Sequence, residues 1–246
     1  MSARSTARLA GLLYLLIAIT GGFAQLVARG GVLIPGDAAA TAANIRGNAD
    51  IFRLGIAADA VNITAFVVMA LLLHRLLSPT SPGLSRAFVA LVAVSSAIMG
   101  LSLANHYGAL VLATDGSYAS ALGTDAADAL AGLFLNLHQF GYLIAEIFFG
   151  LWLVPLGLAV YRSGAFPRWM GVLLGIGGVS YLFSFAMSIA SPGFHSDAAT
   201  TVALPAAVAE LAFMAWLLIR GADVPEHVPA DATTSTHHSL ATEVAR

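Results

Sequence analysis

The sequence predicts an all-α integral membrane protein, a bundle of six transmembrane helices, and three observations support this prediction. The chain has 246 residues, of which 59% are apolar and only 10% are charged. A soluble globular domain carries roughly 25% charged residues, so most of this surface is predicted to face lipid. The apolar residues also fall into six runs of about the 20 residues that one spanning helix needs. Finally, arginine is concentrated in alternate connections between these runs, as in membrane proteins of fixed orientation.

The six predicted spans cover most of the chain. They are 9–28, 51–74, 87–114, 130–160, 169–190 and 202–219. The fourth run is too long for one straight span, so we expect it to begin outside the bilayer and to kink at Pro155 near its inner end. The first run follows Arg4 and Arg8 and so also matches a secretory signal peptide in part, but its length favours a span.

The arginines predict the orientation of the bundle. All eleven basic residues are arginine, and three of them, Arg29, Arg46 and Arg53, fall on one side of the predicted membrane. The other eight fall on the opposite side. Because cytoplasmic loops carry the excess of positive charge, we expect both termini to be cytoplasmic.

The chain divides into a transmembrane domain, residues 1–221, and a tail, residues 222–246. The tail combines turn-forming and small polar residues with few apolar ones, which predicts a disordered cytoplasmic segment. An outer loop, 29–50, is predicted to contain a short helix over Ala38–Arg46 that Asp37 caps and Gly47 ends. We expect Asp50 to cap the second span.

Composition excludes several kinds of chemistry. The chain has no cysteine, which rules out disulfides, thiol catalysis, iron–sulfur clusters and cysteine-bound zinc. Its formal net charge of -2 gives no sign of a nucleic-acid partner. The glycine-rich stretch 171–178 lacks the pattern of a phosphate-binding loop, so we interpret it as a site of close helix packing.

Polar side chains within the spans are the candidates for function. A charged group at the centre of a span costs about 2.5–3.5 kcal/mol, so it normally faces the bundle interior. Their positions along the spans place most of them in the outer half of the bilayer, which predicts a polar pocket open to the outside with Glu210 near its floor. The predicted ligand-binding residues are Asp59, Asn62, Asn105, His106, His138, Tyr142, Glu146 and Glu210.

The spacing of three of these residues supports a common site. His138, Tyr142 and Glu146 are four residues apart, which aligns them on one face of the fourth span. We hypothesise that Asp59 and His106 converge on the same cavity. The alternative is purely structural, since polar side chains also form hydrogen bonds between spans, typically worth about 0.6 kcal/mol.

Several stretches together resemble a bacterial integral membrane family catalogued as domain of unknown function 4386. They are 35–45, 52–55 with Asp59, Asn105 with His106, 137–144, 161–164 and 167–174. The resemblance covers the chain from about Arg8 to Gly221 and implies a six-helix protein of the bacterial inner membrane. The family often carries an acidic residue where Gln139 stands here. It supplies no activity, so no catalytic residue is carried over.

Three functions fit the sequence. In the first, the outward pocket binds or transports a small ligand or a proton. In the second, His106 and His138 hold a divalent metal, with Asp59 or Glu146, or a haem, in a membrane enzyme. No HExxH motif supports this second hypothesis. In the third, the protein is a structural or partner-binding membrane protein without chemistry. Neither the ligand nor the oligomeric state follows from the sequence, and the bilayer is the one partner that it predicts.

Overall fold

A computed structural model describes residues 2–190 and 196–222 of the chain, with the backbone alone for 196–200. The described residues form helices joined by short connections, without a strand. The helices are α1 (Ala3–Gly22, continued by a π-helical turn over Phe23–Ala28), α2 (Ala38–Gly47), α3 (Ala49–Leu77), α4 (Pro82–Thr114), α5 (Gly116–Leu122), α6 (Thr124–Ser163), α7 (Arg168–Ala190) and α8 (Ser196–Ile219). The predicted tail, apart from Ala222, lies outside the described residues.

Six of these helices are long and apolar enough to cross a membrane: α1 with its π-helical turn, α3, α4, α6, α7 and α8. They coincide with the six predicted spans, and the all-α fold class is confirmed. With 40 residues, α6 is about 60 Å long, twice the thickness of the hydrocarbon core, so it is longer than one straight span requires. Pro155 lies within α6, and the helix continues past it to Ser163.

The first loop contains the short helix that the sequence predicts. The Asp37 carboxylate accepts a hydrogen bond from the backbone N–H of Ala40 at 2.8 Å, which confirms the cap. The prediction that Asp50 caps the second span is wrong. Because α3 begins at Ala49, directly after α2, Asp50 already lies inside the helix, and its carboxylate instead binds Arg53 at 2.8 Å.

The six spans form a closed ring. Each packs against its neighbours in the order α1, α3, α4, α6, α7, α8, and α8 returns to α1. Within the described residues, the chain starts and finishes at the same end of the bundle, where a Cβ on Gly221 would lie 3.0 Å from Cγ of Arg4. The other end carries α2 and α5, and we call it the loop end. Two hydrogen bonds from Arg46 to Asp128, at 2.7 and 3.1 Å, attach α2 to α6 there.

The apolar core is divided into two clusters. The larger one, which includes Leu73, Trp152 and Phe213, fills the end of the bundle near the termini. The smaller one, which includes Ile45 and Phe52, lies at the loop end. Along α3, α4 and α6, the stretch between the two clusters carries buried and half-buried polar side chains. We call this zone the polar layer, and it comprises Arg29, Asp59, Asn62, Ser102, His106, His138, Tyr142 and Glu146.

Glycines bring α6 and α7 into close contact, as predicted for the stretch 171–178. A Cβ on Gly171 would lie 2.5 Å from the carbonyl oxygen of Gly157, and a Cβ on Gly178 would lie 2.7 Å from that of Gly150. These distances are shorter than any normal carbon–oxygen contact, so only glycine permits this approach of the two backbones. The close packing fixes the position of α6. One face of this helix carries His138, Tyr142 and Glu146, which we call the polar stripe.

Candidate ligand-binding site

A buried ion pair lies at the centre of the polar layer. Arg29 follows the π-helical turn of α1, and its guanidinium donates a hydrogen bond to Oδ2 of Asp59 on α3 and another to Oε1 of Gln25 at 3.0 Å. The side chains of Arg29 and Asp59 are 6% and 3% exposed. Since an isolated charge is very costly in such a place, the two groups depend on each other.

Two histidines are stacked beside this ion pair. The ring centroids of His106 on α4 and His138 on α6 are 4.6 Å apart, and Phe52 packs edge-on against His106 at 4.3 Å. His106 is fully buried, and its Nδ1 is 3.7 Å from Oδ2 of Asp59. Nδ1 of His138 is 2.9 Å from the backbone carbonyl oxygen of Ser102. The carbonyl accepts, so this hydrogen bond requires the proton on Nδ1 and leaves Nε2 as an acceptor.

A side cavity of about 570 Å³ lies between α1, α6 and α7. The stripe of α6 forms one wall, as the four-residue spacing requires, and the end of α1 faces it. The polar residues that line the cavity are Gln25, Arg29, His138, Gln139, Tyr142, Glu146 and Tyr181. Glu146 is half-buried there, with Ser184 of α7 as a hydrogen-bonding neighbour.

A central cavity of about 210 Å³ lies inside the ring of helices. Every one of the six spans contributes to its lining; examples are Tyr14, Asn62, Met99, Tyr142, Tyr181 and Glu210. The Glu210 carboxylate accepts hydrogen bonds from the hydroxyl of Tyr14 at 2.8 Å and from that of Tyr181 at 3.0 Å. A carboxylate thus lies in a cavity to which five aromatic side chains contribute: Tyr14, Phe66, Tyr142, Phe149 and Tyr181.

The two cavities are adjacent, because Tyr142, Phe149 and Tyr181 line both of them. These three rings form a continuous aromatic wall. The ring centroids of Tyr142 and Phe149 are 5.9 Å apart, and those of Phe149 and Tyr181 are 6.1 Å apart. Glu146 lines the side cavity on one side of this wall, and Glu210 lines the central cavity.

Seven of the eight predicted site residues occupy three kinds of position. His138, Tyr142 and Glu146 line the side cavity, while Asn62, Tyr142 and Glu210 line the central one. Asp59 and His106 line neither cavity and are buried behind Arg29 and His138.

The two predicted amides, Asn62 and Asn105, differ in their relation to the cavities. Asn62 also donates a hydrogen bond to the carbonyl oxygen of Ile17 at 2.8 Å, which joins α3 to α1. Asn105 is partly exposed and lines neither cavity. Its position on α4, next to His106, therefore does not bring it into the site.

Among the site residues that sequence reasoning did not identify are Arg29 and Tyr14. It assigned Arg29 to the outer loop as a marker of topology, and it assigned Tyr14 no role. A signal for Arg29 was present, since a buried Asp59 needs a cationic partner and Arg29 follows Gln25 by four residues at the end of an apolar run. For Tyr14 the sequence offers no signal, because a tyrosine in a span is equally consistent with simple packing.

The ring of six apolar helices around a polar layer defines a multi-pass α-helical membrane protein. The chain belongs to the family described as Domain of unknown function (DUF4386), whose sequence profile matches residues 9–221. An uncharacterized protein of Archaeoglobus fulgidus is 32% identical over 95 residues, which is 39% of this chain and 52% of the relative. The match thus spans about half the length of that relative. No solved structure matches the chain.

Proposed function

We propose that this protein binds a small organic cation, a protonated amine or a quaternary ammonium group, in the adjacent side and central cavities. The observation that carries this proposal is the combination of two carboxylates, Glu146 and Glu210, with a common aromatic wall. A cation over the faces of aromatic rings gains about 0.5–2 kcal/mol, and more when it is desolvated. Carboxylates supply the complementary charge.

The charge of the lining also favours a cation over an anion. Arg29 is the only arginine that lines either cavity among the described residues, and its guanidinium is already bound to Asp59 and Gln25. Glu210 has tyrosine hydroxyls as its partners, and these donate hydrogen bonds without neutralising its charge. A bound cation would supply the missing positive charge.

Tetramethylammonium is a suitable probe, and Trp152 provides the readout. The Trp152 ring packs on Tyr14 and Phe66, at centroid distances of 6.4 and 5.2 Å, and both of these residues line the central cavity. In a variant with Trp169 and Trp216 changed to phenylalanine, Trp152 is the one remaining tryptophan of the three. We expect saturable changes in its fluorescence with tetramethylammonium, and none with acetate.

The Glu210→Gln substitution should weaken tetramethylammonium binding at least about tenfold, which corresponds to about 1.4 kcal/mol. Glutamine keeps the shape and can still accept a hydrogen bond, so the variant should fold. Asp50→Asn, which removes an exposed carboxylate of α3 that lines neither cavity, is the matched control and should bind as the parent protein does. Equal affinities of the Glu210→Gln variant and the parent, or a parent that gives no saturable signal, would exclude the proposal in favour of a structural role.

We also propose that the loop end of the bundle faces the outside of a bacterial inner membrane, with both termini in the cytoplasm. The distribution of arginine supports this orientation. A reporter enzyme that works only in the periplasm should be active when fused after Gly123 and inactive when fused after Gly221. The opposite pattern of activities would contradict this orientation.

A further inference from the structure

The structure points to a second site, which adjoins the side cavity at His138: we propose that Asp59, His106 and His138 bind one divalent transition-metal ion such as Zn²⁺. Each residue offers one ligand atom, and the three atoms lie within 4.8 Å of one another. All three residues are buried, with exposed fractions of 2%, 0% and 3%. They come from three different spans, α3, α4 and α6.

Free hydrogen-bonding atoms supply an independent reason to expect a ligand here. Neither Nδ1 nor Nε2 of the fully buried His106 has a hydrogen-bond partner, and Oδ1 of Asp59 has none either. Buried polar groups are nearly always paired, because leaving one unpaired costs about 1–3 kcal/mol. A metal ion bound to a nitrogen of His106 and to Oδ1 of Asp59 would satisfy both residues at once.

The surroundings of the three residues resemble the outer shell of a metal site. A histidine that binds a metal usually donates its other ring N–H to a carbonyl or carboxylate. Nδ1 of His138 has such a partner in the Ser102 carbonyl, so Nε2 is left for the ion. Oδ2 of Asp59 is held by Arg29, which fixes the carboxylate and leaves Oδ1 as its one free oxygen.

The donor set indicates the class of metal. Two imidazoles and one carboxylate suit Zn²⁺, Fe²⁺ and their first-row neighbours better than Ca²⁺ or Mg²⁺, which prefer oxygen ligands. Bonds of about 2.0–2.1 Å in a tetrahedral site put ligand atoms about 3.3–3.4 Å apart. The ligand atoms that lie within 4.8 Å of one another, one from each residue, therefore need to approach by about 1.5 Å at most. Three protein ligands also leave a fourth position for water or a substrate.

Zinc titration of the purified full chain tests this proposal. In the parent for this experiment, the tail residues His237 and His238 are changed to glutamine, so that they cannot bind metal. After treatment with a chelator and its removal, we expect this protein to bind one Zn²⁺ per chain. Co²⁺ in its place should give the visible absorption spectrum of a tetrahedral site.

His106→Gln and His138→Gln should each weaken Zn²⁺ binding by about a hundredfold or more, since the loss of an outer-shell partner alone costs about 10–100-fold. His74→Gln is the matched control, because His74 lies on the α3 turn next to the termini and should leave the affinity unchanged. Circular dichroism checks the fold first, and His106→Phe replaces His106→Gln if the latter does not fold. A parent chain that binds no Zn²⁺, or histidine variants that bind it as the parent does, would overturn the proposal.

The metal site and the cation-binding cavities are tested separately. His106→Gln should retain the binding of tetramethylammonium, because His106 lines neither cavity. Glu210→Gln should retain the binding of Zn²⁺. Each proposal can therefore fail without the other.

Discussion

Replacement of Arg29 by methionine is expected to destabilise the chelator-treated protein by about 3–5 kcal/mol, the usual cost of removing one partner from a buried ion pair. Methionine fills much of the same space, so the loss of packing is small. The main effect is electrostatic, because the Asp59 carboxylate, 3% exposed, loses the guanidinium that it binds. Thermal or denaturant unfolding of the detergent-purified protein measures the change.

Two further variants distinguish the loss of the buried ion pair from the general effect of removing an arginine. Adding Asp59→Asn to the Arg29→Met variant should recover most of the lost stability, because the neutral amide leaves no unpaired charge. Arg53→Met should change stability little, since Arg53 and Asp50 form an exposed pair on the surface of α3. If Arg29→Met were no more destabilising than Arg53→Met, the ion pair would not hold the polar layer together.

Replacement of Gly171 by alanine is expected to destabilise the protein by about 1–3 kcal/mol, the usual cost of overpacking a tight interface. The new Cβ would lie 2.5 Å from the carbonyl oxygen of Gly157 and 2.8 Å from the backbone nitrogen of Tyr161. Both contacts are with backbone atoms, which cannot rotate away, so α6 and α7 must separate. The stripe on α6 would then move relative to Tyr181 on α7, and tetramethylammonium binding should weaken as well.

Gly175 provides the control on the same helix. A Cβ there meets no atom within 4 Å, so Gly175→Ala should leave both the stability and the binding unchanged, or should raise the stability slightly through better helix propensity. Equal effects of the two substitutions would show that the close contact of α6 and α7 is not what Gly171 provides. Unfolding curves and the fluorescence titration give the two readouts.

Local patterns determined the elements of this fold. The bilayer sets the length of an apolar run, so hydropathy alone located the six spans. The cap at Asp37 also followed from a local rule, since the side chain and the N–H that it accepts from are three residues apart. The cap predicted at Asp50 failed because α3 begins at Ala49, which puts Asn48 in the N-cap position and Asp50 in the first turn.

The candidate site could be predicted only in part. The four-residue period of an α-helix places His138, Tyr142 and Glu146 on one face, and the depth of Asp59 and His106 follows from the rise of the helix. Neither the helical period nor the depth of a residue indicates which helices are neighbours. The sequence therefore predicted the level of the polar layer, but it could not separate the residues that line a cavity from those buried behind it.

The sequence by itself determined the membrane class, the six spans and the band of polar residues, because each of these depends on the partition of local segments between lipid and water. Only the tertiary structure decided the closed ring, the pairing of Arg29 with Asp59 and the stacking of His106 on His138. These contacts join residues 30 or more positions apart in the chain. They depend on how side chains interlock between helices, and no periodicity along a single helix carries that information.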